Sequence, residues 1–191
     1  MEWRKVVGVL LLCLGWASVT LPEEYSLRYF MEKSSLKAYE LPKKERTELL
    51  NQVEDLLEKT KEIQRRLVRT LQEGRAEIKY QEGRLWMSML EEDQKSIDSG
   101  AQQVSILKER PAQLVAAIRL YKALKDLSFH FSTYNNLPYF SAYVGDVAPE
   151  LELWADPVFY KLYLFPLAQG KSGETKAPFK EKKQDGKGKK P

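Results

Sequence analysis

Cysteine and histidine are almost missing from this chain. Its 191 residues include one Cys and one His. Cys13 lies in an apolar N-terminal run that reads as a removable leader, so the mature chain keeps no thiol. That excludes internal disulfides, cysteine nucleophiles and zinc clusters built on Cys and His. After the leader no stretch offers the roughly 20 apolar residues needed to cross about 30 Å of hydrocarbon, so stable membrane insertion is not expected. No Asn is followed two positions later by Ser or Thr, which removes any acceptor for N-glycosylation. Alternating apolar and polar runs are missing too, and with them the sign of a half-buried strand. Gly170-Lys171-Ser172 imitates the end of a phosphate-binding loop, but Phe165 stands where that motif requires its first Gly. No dinucleotide-binding glycine pattern is present, and no cofactor is expected.

The leader itself is short. Arg4 and Lys5 precede a mostly apolar run from Val6 to Trp16, and Gly15 and Ala17 supply the small side chains that signal peptidase favours. Residues 1–17 are therefore read as a secretory signal peptide in preference to an uncleaved anchor or a buried first helix, and the product is expected to be secreted or to reside in the endoplasmic reticulum lumen. Of the formal net charge of +4, the leader carries +1 and residues 171–191 carry +5, which leaves the body, residues 18–170, near −2. Such a body has no general attraction for polyanions. The tail from Lys171 is rich in Lys and Gly and holds Phe179 as its one large apolar residue. It cannot bury enough surface to offset the entropy of ordering and reads as disordered. Without stacking aromatics, its lysines fit a solubilising role better than a nucleic-acid site.

Between leader and tail the patterning is helical throughout. The strongest signal is Leu49, Val53, Leu56, Thr60, Ile63, Leu67 and Leu71, spaced three and four apart and widened by Leu50, Leu57 and Val68. The stripe exceeds a two-position seam, which favours packing within one chain over a dimeric coiled coil; a monomer is expected, with a dimer as the alternative. Gly74 and Gly83 mark bends in what reads as one long helix continuing through Ile78, Leu85, Trp86, Met89 and Leu90. Ser96 to Gly100 reads as its end or as a loop.

Ahead of this helix, a shorter helix is read with Pro22 in its first turn, Glu23 and Glu24 complementing its positive end, and Tyr25 to Leu41 along it, closed by a turn at Glu40 to Pro42. Beyond it, Pro111 marks a fresh start and Asn135 with Asn136 a stop, because Asn tolerates the left-handed conformation. Asp156-Pro157 reads as the start of a final helix that Pro166 terminates. The fold class is all-α: a small helical bundle with one long amphipathic helix and a disordered Lys-rich tail.

Catalysis finds little support. His130 is the only imidazole, and its neighbours at helical spacing, Asp126 and Tyr134, supply no nucleophile, so it reads as a packed histidine. Acidic pairs such as Glu91 with Glu92 read as solvated. Tyr139, Phe140, Tyr143, Trp154, Phe159, Tyr160 and Tyr163 concentrate aromatic surface in the last third of the body and are the candidate protein-binding residues. Core filling between helices is the equal alternative, because aromatics dominate both settings.

Leu124-Lys125-Asp126 through Phe129, His130, Tyr134 and Asn135, followed by Ala142-Tyr143-Val144-Gly145-Asp146-Val147, resembles the family of coiled-coil domain-containing protein 134. The stretch from Ser26 to Leu57 is similar to that family's entry into its long helix, and a Lys-rich tail closes both. The resemblance implies a non-enzymatic helical protein of the secretory pathway that acts through partners. It associates such proteins with a lumenal Hsp90-type chaperone and with the dampening of kinase signalling. This chain departs from the expectation of lumenal retention, since Gly188-Lys189-Lys190-Pro191 is no Lys-Asp-Glu-Leu signal. The alternative is a secreted helical signalling ligand that binds a cell-surface receptor, against which the lack of mature cysteines counts.

Overall fold

The computed structural model describes residues 25–36, 41–74 and 80–173; the leader and residues 174–191 of the tail lie outside the described residues. Among them are seven α-helices and one π-helical stretch, with no strand. The helices are α1 (Leu27–Ser35), α2 (Lys43–Gln72), α3 (Tyr80–Glu109), α4 (Leu114–Asn135), α5 (Pro138–Val144), α6 (Val147–Pro157) and α7 (Phe165–Gly173), with the π-helix Val158–Leu164 between α6 and α7.

α2 buries the stripe read from the sequence: Leu49, Leu50, Val53, Leu56, Leu57, Thr60, Ile63 and Leu67 all face inward. The expected single long helix, however, is two. Glu73 still donates its N–H to the Arg69 carbonyl, but Gly74 takes φ +63°, and its N–H closes on the Leu71 carbonyl. A left-handed residue cannot propagate a right-handed helix, and glycine occupies that region without the Cβ penalty. α3 then runs back antiparallel to α2, as the cross-links Gln64 Nε2 to the Leu90 carbonyl (2.9 Å), Lys61 to Asp98 (2.9 Å) and Lys108 to Glu54 (2.5 Å) establish.

The second correction concerns Ser96 to Gly100, which is the middle of α3 and not a loop. Leu90, Asp93, Ile97, Gly100, Val104 and Leu107 follow one another at spacings of 3, 4, 3, 4 and 3, and all are buried. This is a seam as regular as that of α2. Two of its positions are held by an acid and a glycine, which is why hydropathy alone broke it. Gly100 is where the helices come closest: a Cβ placed there would lie 3.2 Å from Leu57 Cδ1 on α2 and 3.7 Å from Ala123 Cβ on α4.

α4 returns antiparallel to α3, burying Ala116, Ala117, Leu120, Ala123, Leu124, Leu127 and Phe131. It ends at the expected asparagines, but by another device. Asn136 is right-handed (φ −83°, ψ −5°), and its side-chain amide donates to the Ser132 carbonyl at 3.1 Å. After the short α5, α6 lies antiparallel to α4, tied by Ser128 Oγ to the Ala148 carbonyl (2.9 Å) and by the Lys125–Glu152 pair; Lys59–Glu150 ties it to α2. The four long elements thus form an up-down-up-down bundle with short connections, and one core runs through α2, α3, α4, α6 and the π-helix.

Asp156-Pro157 does not begin a helix. Helical structure is continuous from Val147 to Gly173, with Pro157 inside α6 and Pro166 in the first turn of α7. Proline lacks the N–H that an α-helix donates and crowds the carbonyl four residues back. Between the two prolines the backbone widens to π register, in which Phe165 donates to the Tyr160 carbonyl. α7 also carries helix into residues 171–173, the first residues of the segment read as tail.

Gly100→Leu is expected to destabilise the protein by about 2–3 kcal/mol, since a branched side chain must displace Leu57 within a packed core. Gly100→Ala should change stability by about 1 kcal/mol or less, because gained helix propensity opposes a tight contact. Urea midpoints of the two variants against the parent chain measure both.

Candidate functional site

Two aromatic groups, not one, emerge from the seven candidate residues. On α5, Phe140 is fully buried, Tyr139 half-buried and Tyr143 exposed at 39%. Phe140 is therefore a core residue and unavailable to a partner. Its ring meets Tyr139 edge-on at 4.7 Å, Tyr134 at 5.7 Å and Trp86 at 6.5 Å. Tyr139 donates its hydroxyl to Glu82 on α3 at 3.0 Å, and burial together with that carboxylate raises its pKa. Trp154 on α6 is half-buried and packs against the core.

Phe159, Tyr160 and Tyr163 form the second group, all on the π-helix and all half-buried. Phe159 packs on Tyr121 of α4 at 4.8 Å and stacks on Tyr163 at 5.7 Å. Among the described residues no ring pair joins this group to that of α5.

The fold adds rings that the linear reading did not assign to this face. Tyr25, just before α1, stacks on Tyr160 of the π-helix at 5.9 Å, and Tyr29 on α1 meets Tyr160 edge-on at 6.2 Å; Tyr29 and Phe30 also stack on Phe165, the first residue of α7, at 6.0 and 5.8 Å. Lys161 Nζ sits 5.3 Å from the centre of the Tyr25 ring. Ser26 caps α1 by accepting from the Tyr29 amide at 3.3 Å. Yet α1 buries none of its residues fully, and its outer face leaves Leu27 and Met31 exposed at 72% and 60%. Ring contacts of about 0.5–1.5 kcal/mol each thus join this short helix to the π-helix and to Phe165. The only sequence signal for this seat was the density of Tyr and Phe in Tyr25 to Phe30, which lacked a clean helical phase.

The polar centre of the molecule lies elsewhere, between α3 and α4. Asp93 is fully buried in the seam. Tyr134 donates its hydroxyl to Asp93 Oδ2 at 2.6 Å, and His130 Nδ1 meets Oδ1 at 2.6 Å. Desolvation raises the Asp93 pKa, and the bonds from Tyr134 and His130 oppose that rise without cancelling it. Burial and the adjoining carboxylate hold the Tyr134 phenol far above its ordinary range, so it stays a donor at every pH the protein meets. The His130 side chain is 24% exposed, and Phe129 beside it is exposed at 71%.

His130 is thus packed, as the sequence reading held, but its partner was unforeseen. Asp93 lies 37 positions away, and neither Asp126 nor any other helical neighbour of His130 supplies the carboxylate. A buried acid orienting an imidazole is half of a hydrolytic triad. Among the described residues, no hydroxyl or thiol hydrogen-bonds His130, and no group of three or more His, Cys, Asp or Glu is placed to hold a metal ion. What the arrangement does chemically is fix the register of α4 on α3 by two bonds from one carboxylate.

Asp93→Ala should cost about 2–4 kcal/mol, because it strands the Tyr134 hydroxyl in the core. Asp93→Asn keeps an acceptor and isolates the charge. A carboxyl whose folded pKa is raised contributes most to stability below its unfolded value, near 3.8, and that contribution is lost as pH rises through the raised value. The stability of the parent relative to Asp93→Asn should therefore fall as pH rises above about 4, measured by urea unfolding of both proteins across pH 3 to 7.

No helix among the described residues is long and apolar enough to cross a membrane. No family model, curated protein or solved structure matches the chain.

Proposed function

We propose that this protein catalyses no reaction of its own and works by binding another protein, and that the aromatic face of the π-helix is the binding surface. The observation that carries this reading is the state of Phe159, Tyr160 and Tyr163. Three large rings within five residues remain only half-buried, while the core beneath them is complete with Val158 and Leu162 at 0% and 2% exposure. These rings lie outside that core, and although Tyr25 and Tyr29 share the face of Tyr160, the area left exposed can meet a partner; Tyr is enriched among residues that dominate interface energetics. Insertions that widen an α-helix to π register also occur frequently at functional sites.

The leader-like N-terminus supports a secretory location, either the endoplasmic reticulum lumen or the medium. With the resemblance to the coiled-coil domain-containing protein 134 family, it makes a lumenal Hsp90-type chaperone the first partner to test. The rival reading, a secreted signalling ligand for a cell-surface receptor, draws less support from the bundle. Cytokine-type four-helix bundles run up-up-down-down with two long crossovers, whereas the connections here, residues 110–113 and 136–137 among them, are short.

Affinity capture from secretory-pathway lysate with the signal-cleaved protein tests the proposal, with the Hsp90-type chaperone scored explicitly. Tyr160→Ala and Tyr163→Ala should each reduce capture by tenfold or more, since truncating an anchor costs about 2 kcal/mol or more. Their melting temperatures should stay within a few degrees of the parent. Large losses of stability with capture retained would assign both tyrosines to the core and end the reading.

A further inference from the structure

An open cavity of about 340 Å³ lies where the entry to α2, the α3–α4 connection, the π-helix and α7 meet. Its apolar wall comes from Leu41, Pro111, Leu162 and Pro166, and its two charged residues are both cations, Arg46 and Lys161. Among the described residues no carboxylate lines it. Arg46 is half-buried, and among the described residues its guanidinium makes no hydrogen bond or ion pair.

Arg46, half-buried and lining the cavity, carries five donors in a planar fork that matches a carboxylate. Lys161, in the same wall, adds a second positive charge. From these features we infer that the cavity binds a small amphipathic carboxylate, its head on Arg46 and Lys161 and its aliphatic body along Leu41, Pro111, Leu162 and Pro166.

Shape and charge select this ligand class. Among the described residues no aromatic ring lines the cavity to stack on a nucleobase or a flat heterocycle. The volume is at the small end of the range for ligand sites, about 300–1,000 Å³, and suits a medium-length chain. The protein's own C-terminal segment is a poor occupant. Residues 171–191 carry eight Lys against three acids, and a cationic segment is repelled by a cavity whose charges are both positive. The site is independent of the aromatic binding surface, although Lys161 borders both.

Isothermal titration of the full signal-cleaved chain with decanoate, decylamine and acetate at low ionic strength tests the assignment. Decanoate should bind saturably at one site, decylamine at least tenfold more weakly because its head carries the wrong sign, and acetate without saturation because it has no aliphatic body. Arg46→Gln should weaken decanoate by tenfold or more while leaving the urea midpoint unchanged, since Arg46 holds nothing else in place. Lys161→Gln should weaken it less. Absence of saturable decanoate binding, equal affinity for decylamine, or decanoate affinity untouched by Arg46→Gln would each overturn the inference.

Discussion

A carboxylate at zero exposure in the middle of an apolar seam is tolerated only where donors meet it, and in this bundle that requirement sets the geometry of the two central helices. Asp93 has two oxygens, and α4 delivers one donor to each, from Tyr134 and His130, four residues apart on a single face. A shift of α4 by one turn along α3 would leave at least one of the two rings without its acceptor and the acid without its pair of partners. Purely apolar seams slide at lower cost, because one Leu replaces another with little loss. The Asp93 cluster therefore specifies register, while the apolar core, Leu50, Leu57, Leu90, Leu120, Leu124 and Leu127 among it, supplies the burial that drives the helices together.

Gly100 performs a complementary task two turns along the same seam. By withdrawing its side chain it lets Leu57 of α2 and Ala123 of α4 approach α3 together, so three helices converge at one level. The closing helix, α6, is then laid on α4 by Ser128 and the Ala148 carbonyl, and its extension widens into π register between Pro157 and Pro166. That widening carries Phe159, Tyr160 and Tyr163 along the outer side of the bundle. The core and the aromatic face are thus separate layers of one continuous helical stretch.

Much of this was legible in the linear pattern. The α2 stripe, the break at Pro111, the end near Asn135 and the all-α class follow from spacing and from the chemistry of Pro and Asn. Three features were hidden for physical reasons. The turn at Gly74 depends on a backbone conformation that glycine permits but does not require. The α3 seam was disguised because Asp93 and Gly100 score as breakers, although within the bundle one is satisfied by hydrogen bonds and the other is needed for close approach. Helix across Asp156-Pro157 was misread because a proline in the first turn of a helix and a proline inside a widened one leave the same mark in sequence.

Local spacing by itself determined the all-α class and the apolar faces of α2 and α4, since both follow from the 3.6-residue repeat and the cost of exposing hydrocarbon. Tertiary structure alone decided the pairings: that Asp93 meets His130 and Tyr134, that Tyr25 and Tyr29 meet Tyr160 of the π-helix, and that Arg46 and Lys161 share one cavity wall. Each of these joins residues tens of positions apart. Their proximity is set by the order in which whole helices pack, and no short-range periodicity encodes it.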